Sequence, residues 1–139
     1  MRVLGLDLGS VTLGVAISDA LGIIANPIGT YKIITNDLHD ALNCVKLLVS
    51  EHHVDKIVLG LPKNMNGSIG QQAEYTLEFK KILEAELNLE VIMVDERLTS
   101  RMANQVMIKA DISRKKRKSN VDKLAATIIL QAYLDSIPR

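Results

Sequence analysis

The apolar residues change period along this chain, and that change restricts the fold more than any other feature. Residues 2–8 (RVLGLDL) and 12–18 (TLGVAIS) read as strands, broken at Gly9-Ser10 and close enough to pair as a hairpin. A third short strand is expected from Ile28 to Ile34. From Asp37 to about His52 the period becomes helical, with Leu38, Ala41, Leu42, Val45, Leu48 and Val49 on one face and Asn36 or Asp37 as the cap. Lys56–Gly60 is again a β-branched strand, and the turn residues Pro62, Asn66-Gly67 and Gly70 mark 60–70 as a loop.

Residues 71–87 place Ala73, Leu77, Ile82 and Leu83 on a helix face, and Glu90–Val94 is a strand. Thr99 or Ser100 can cap a helix to about Lys109, 111–119 read as a basic loop, and a last helix runs from about Val121 to Asp135. The order β-β-β-α-β-α-β-α-α predicts an α/β mixed sheet with helices on both faces. At 139 residues the chain is expected to form one domain, 1–139, with a real core. No apolar run reaches the ~18–20 residues of a membrane span, MRVLGLDLGS lacks a signal peptide's layout, and Cys44 has no cysteine partner, so a cytoplasmic protein is expected.

Charge is distributed unevenly. The formal net charge is +1, yet Lys109, Arg114, Lys115, Lys116, Arg117, Lys118 and Lys123 face only Asp111 and Asp122 in their segment, a net of +5. Ten basic against fourteen acidic residues leave −4 on the rest. Such a block predicts contact with a polyanion at one place, although a solvated loop is the commoner meaning of a charge run. Aromatic residues, at 3%, are too few for a base-stacking platform.

Acids at three places break the apolar pattern. Asp7 stands inside VLGLDLG, on the same strand face as Val3 and Gly5, where a lone carboxylate is costly unless a partner or cation compensates it. The competing explanation is a strand-end Asp that bonds the amides of the Gly9-Ser10 turn. Asp95 and Glu96 follow a strand at the end where open α/β sheets bind ligands, and only one of them can easily join Asp7. A solvated pair, or a salt bridge to Arg97 or Arg101, explains the dipeptide equally well. Asp122 completes a Ser119-x-x-acid capping box, but Ala125, Ala126 and Ile129 follow at i+3, i+4 and i+7, so it lies on an inward face. Together the three suggest hard oxygen ligands for Mg²⁺ or Mn²⁺, with two ions serving phosphodiester hydrolysis.

Four segments carry a resemblance. GLDLGSVTLGVAISD (5–19), VLGLPKNMNGSIGQQA (58–73), VDERLTSRMA (94–103) and KRKSNVDKLAATIILQAYL (116–134) make the chain similar to the YqgF, or RuvX, family of ribonuclease H-like proteins over nearly its whole length. That family comprises pre-16S ribosomal RNA nucleases or Holliday junction resolvases. The resemblance implies a five-stranded ribonuclease H-like sheet, a three-stranded antiparallel edge continuing into two parallel strands. It also implies that Asp7, Glu96 and Asp122 are the metal-binding, catalytic carboxylates, with Asp95 behind them. The loop holding Lys63 and Asn64 would line the substrate groove. With Arg97, which could contact phosphate or hold Glu96, and with Arg114, Lys115, Lys116, Arg117, Lys118 and Lys123, it would bind nucleic acid.

The expected partners are structured RNA, branched DNA and pre-ribosomal particles, with no membrane, and the expected state is a monomer or weak homodimer. Two other classes compete. An Asp7-x-Gly9 hairpin also opens actin-like ATPases and sugar kinases, but those need two such domains. A nucleic-acid-binding module without hydrolysis would use the acids as caps and salt bridges. Cys44, the three histidines and Met65, Met93, Met102 and Met107 are expected to serve packing, helix ends or loops.

Overall fold

The computed structural model describes residues 1–97 and 114–138, with the side chains of the last helix described from residue 124 onward. The strands are β1 (Val3–Leu8), β2 (Thr12–Ser18), β3 (Ala25–Lys32), β4 (Lys56–Leu61) and β5 (Val91–Asp95). They form one sheet in the order β3-β2-β1-β4-β5. β1 and β3 each pair antiparallel with β2, whereas β1–β4 and β4–β5 are parallel. The expected mixed, ribonuclease H-like arrangement is therefore present.

Alternation along β1 divides its residues between two cores. Leu4, Leu6 and Leu8 join Leu13, Val15, Ile57 and Leu59 beneath helices α1 (Leu38–His52) and α2 (Gln71–Leu87). Val3, with Ala16 and Val58, packs on the opposite face against Ala126, Ile129, Leu130 and Leu134 of α3 (Arg114–Ser136). α3 approaches closely because Gly5 has no side chain: a β-carbon there would stand 2.7 Å from Leu130 Cβ and 3.0 Å from the Ala126 carbonyl. The helix runs antiparallel to β4. Tyr133 meets Lys56 at the start of that strand (Nζ to OH, 3.2 Å), and Ile129 meets Gly60 near its end.

Several boundaries differ from expectation. β3 begins at Ala25 rather than Ile28, and β2 pairs with it from Ser18↔Ala25 to Thr12↔Lys32. Pro27 and Gly29 argue against a strand locally, but β3 is the sheet edge, where a missing amide donor is tolerated. Asp37 caps α1 by accepting from the His39 and Asp40 amides. On α2 the buried positions are Ala73, Thr76, Phe79 and Leu83, so Phe79 rather than Leu77 fills the core.

The largest correction concerns the basic segment. Residues from Arg114 on are helical, where 111–119 were expected to form a loop. Lys and Arg are good helix formers, no Gly or Pro interrupts 114–136, and like-charge neighbours cost only a few tenths of a kcal/mol. Ser119 is therefore interior to α3, and the capping-box explanation of Asp122 fails. The helix expected from Thr99 or Ser100 to Lys109 lies outside the described residues.

Candidate active site

The parallel strands deliver two carboxyl groups to one edge of the sheet. Asp7 is the penultimate residue of β1, opposite Gly14 of β2, and half-buried. Glu96 follows β5 immediately. Leu6 pairs with Leu59 and Gly60 with Val94, so the ends of β1, β4 and β5 lie side by side. The turn closes through the Gly9 amide and the Thr12 carbonyl (2.8 Å), without using Asp7.

Asp7 meets Glu96 instead. Burial, a side-chain hydrogen bond with Asp7, and the negative charges of Asp7 and Asp95 push the Glu96 carboxyl up to about 10. Two acids this close cannot readily both ionise, so a proton is held between them. Gly60 forms the floor of the site. A β-carbon on it would stand 2.5 Å from Glu96 Oε1 and 2.6 Å from Ile129 Cδ1. Sequence reading missed Gly60, which looked like the end of a strand; the signal available was a glycine where a β-branched run stops.

Asp95 is turned to the other side. Arg97 grips it from Nη2 at 2.7 Å and from Nε at 3.0 and 3.1 Å, which holds the Asp95 carboxyl below its ordinary range, with the Lys63 charge assisting. Arg97 thus makes the salt bridge to this acidic dipeptide that the sequence allowed, through Asp95, and its Nη1 reaches the Met65 carbonyl (3.3 Å). Asn64 is engaged in its own loop, where its amide donates to the Ser68 carbonyl and its Nδ2 to Ser68 Oγ, both at 3.0 Å. Lys63 is half-buried beside Asp95.

Asp122 lies on α3 one turn before Ala126, in the half of the helix that heads for the strand ends. Its side chain, and those of Arg114, Lys115, Lys116, Arg117, Lys118 and Lys123, lie outside the described residues. Among the described residues no three metal-ligating side chains come together. Asp7 and Glu96 nonetheless fit a divalent cation. Both are hard oxygen donors, and a cation between them would relieve their mutual repulsion.

A mixed five-stranded sheet with paired acids at the ends of its first and last strands defines the ribonuclease H-like class of nucleases. The chain belongs to the RuvX family, described as Holliday junction resolvases, whose model matches residues 1–136. It is 52% identical over 136 residues to a protein of Geobacillus sp. (strain WCH70), with 98% of this chain and 99% of that one covered. It is 50% identical over 137 residues to one of Bacillus subtilis (strain 168), covering 99% of each. Both relatives are named as candidate pre-16S rRNA nucleases. The fold is also that of Thermus thermophilus RuvC, solved with a Holliday junction substrate: TM-score 0.62, 14% identity, 98% and 97% of the two chains. Fowlpox virus resolvase, solved with junction DNA, aligns at TM-score 0.54 and 16% identity over both whole chains. The chain is a nuclease of this family. No described helix is long and apolar enough to cross a membrane.

Proposed function

We propose that this nuclease, acting as one ribonuclease H-like domain over residues 1–139, hydrolyses phosphodiester bonds in structured RNA, with precursor 16S ribosomal RNA as its substrate. The observation that carries the reading is the Glu96–Asp7 carboxyl pair, recessed over Gly60 where the parallel strands end. The names of the half-identical relatives support the choice of RNA.

Asp7, Glu96 and Asp122 would hold Mg²⁺ or Mn²⁺. Such ions lower the pKa of water and neutralise charge on the phosphate and its leaving oxygen. The chain's own residues do the rest. Gly60 lets Glu96 settle, partly buried, against the sheet, where electrostatic interactions are stronger than in open water. Asp7 presents a half-exposed oxygen face to the substrate. The basic first turns of α3 neutralise the flanking phosphates and set the register of the backbone. Arg97 holds Asp95 away from the acid pair and ties down the loop that carries Lys63 and Asn64.

The family's description favours a second reading, cleavage of four-way junction DNA. One experiment decides between them: purified protein with Mn²⁺ is given a precursor 16S rRNA fragment and a junction DNA, and the cut ends are mapped. Cleavage at a defined site in the RNA is expected. Symmetrical cuts in the junction alone would overturn the RNA reading, and no cut in either would overturn hydrolysis.

A further inference from the structure

Helix α3 brings an apolar side chain up to the acid pair. Ile129 is wholly buried, in the cluster that holds Val3, Val58, Ala126 and Leu130. Its Cδ1 stands 2.6 Å from the place where a β-carbon on Gly60 would lie. Glu96 stands at the same place, with Oε1 at 2.5 Å and Cγ at 2.7 Å. The isoleucine and the glutamate therefore share the space over one bare α-carbon, and each limits where the other can go.

The wall that Ile129 makes is stiff. A β-branched side chain in a helix keeps one strongly preferred χ1 rotamer. The backbone that carries it is pinned on both sides, because the Ala126 carbonyl and Leu130 Cβ lie 3.0 and 2.7 Å from the β-carbon position of Gly5. One turn further on, Tyr133 is fastened to Lys56 at 3.2 Å. Glu96 lacks such stiffness of its own: it stands just past the end of β5, and a glutamate has much rotamer freedom to lose. With Gly60 beneath it and Ile129 beside it, its carboxyl is turned to Asp7, with which it shares a hydrogen bond.

We propose that Ile129 is a positioning residue for Glu96, fixing its carboxyl in one direction and so making the acid pair selective among divalent ions. This rests on the metal-binding reading above and adds ion selectivity to it. Mg²⁺ demands near-ideal octahedral geometry, whereas Ca²⁺ accepts irregular and flexible ligand sets. A carboxyl held in one direction therefore favours Mg²⁺, and a loosened one gives that advantage away. Ile129 acts through Glu96 alone and takes no part in the bond-breaking step.

The test measures Mg²⁺ and Ca²⁺ binding by calorimetry on the full chain without RNA, in the parent, Ile129→Val and Val3→Ala. Ile129→Val removes only the Cδ1 methyl, whereas Val3→Ala cuts two methyls from the same core at the start of β1. Thermal unfolding checks that each protein is folded. The readout is the ratio of the two affinities, because a proton held between Asp7 and Glu96 competes equally with either ion. Ile129→Val should lower the Mg²⁺-to-Ca²⁺ ratio by about tenfold, the scale for groups that orient a metal's ligands. Val3→Ala should leave the ratio unchanged. An unchanged ratio in Ile129→Val, or an equal fall in Val3→Ala, would overturn the positioning role and leave the metal site intact. A parent protein that binds neither ion would overturn the metal reading, and the role of Ile129 with it.

Discussion

Glu96 lies across the bare α-carbon of Gly60, its Oε1 2.5 Å from where a β-carbon would stand. The space that glycine leaves is what allows a carboxyl to sink between the sheet and Ile129 of α3 and to reach Asp7. A methyl group at that position would meet both Glu96 and Ile129. Gly60→Ala is therefore expected to destabilise the protein by about 1–3 kcal/mol, the usual range for overpacking. It should also lower cleavage nearly as far as Glu96→Gln does. Thermal unfolding together with single-turnover cleavage checks this; an active Gly60→Ala protein would show that the position of Glu96 is not critical.

Asp7→Asn, Glu96→Gln and Asp122→Asn should each reduce cleavage by ~10²-fold or more, the scale for removing a group that stabilises developing charge. Nucleic-acid binding should stay nearly unchanged in all three. Calorimetry with Mg²⁺ and Mn²⁺ supplies the second readout: the Asp7→Asn protein should lose the heat of ion binding. If Asp122→Asn cuts RNA as well as the parent does, α3 contributes only its basic turns.

The Glu96 carboxyl titrates near 10 in the folded protein against an ordinary 4.5, so folding favours its protonated form. Its contribution to stability is complete below pH 4.5 and is lost as the pH rises through about 10. In EDTA, the difference in Tm between the parent and Glu96→Gln should therefore shift against the parent across that window. Mg²⁺ should cancel the shift, because a cation then takes the place of the proton. A difference independent of pH would mean that Glu96 is ionised in the folded chain.

Neutralising Lys115, Lys116 and Arg117 should weaken RNA binding and reduce the slope of log K against log salt by roughly 2–3, at ~0.7–0.9 per phosphate contact. Cleavage at saturating RNA should persist. Titrations at several salt concentrations check this, and an unchanged slope would place the phosphate contacts elsewhere.

Asp95→Asn should weaken cleavage without abolishing it, because its carboxylate is spent on Arg97. A loss within about 10–100-fold, the range for groups that orient a metal's ligands, is expected. A complete loss would make Asp95 a ligand in its own right.

Much of this was readable without coordinates, and for local reasons. Period-2 alternation placed Val3, Gly5 and Asp7 on one face of β1 and predicted that only one of Asp95 and Glu96 would join Asp7; the structure gives that place to Glu96. Helical period located α1 and α2 almost to the residue. Motif order pointed to the family that the whole-chain comparison confirms. Errors arose where a residue's local preference was outweighed. Charge density suggested a loop where Lys and Arg in fact propagate α3, and the third strand was expected to start at Ile28, whereas its pairing with β2 carries it back past Pro27 to Ala25.

Pattern and propensity are properties of neighbours along the chain, so the strand and helix types, the inward acids and the basic block followed from residue order alone. Three-dimensional packing decided the rest. It set Gly60 under Glu96, matched Gly5 to the backbone of α3, and closed Arg97 on Asp95 and the Met65 carbonyl. Gly60 with Glu96, and Arg97 with Met65, join segments brought together by the parallel pairing of β4 and β5, and Gly5 meets α3 across the face of the sheet. The space left by a missing β-carbon, or a proton shared between two acids, exists only once the chain has brought both sides of the contact together.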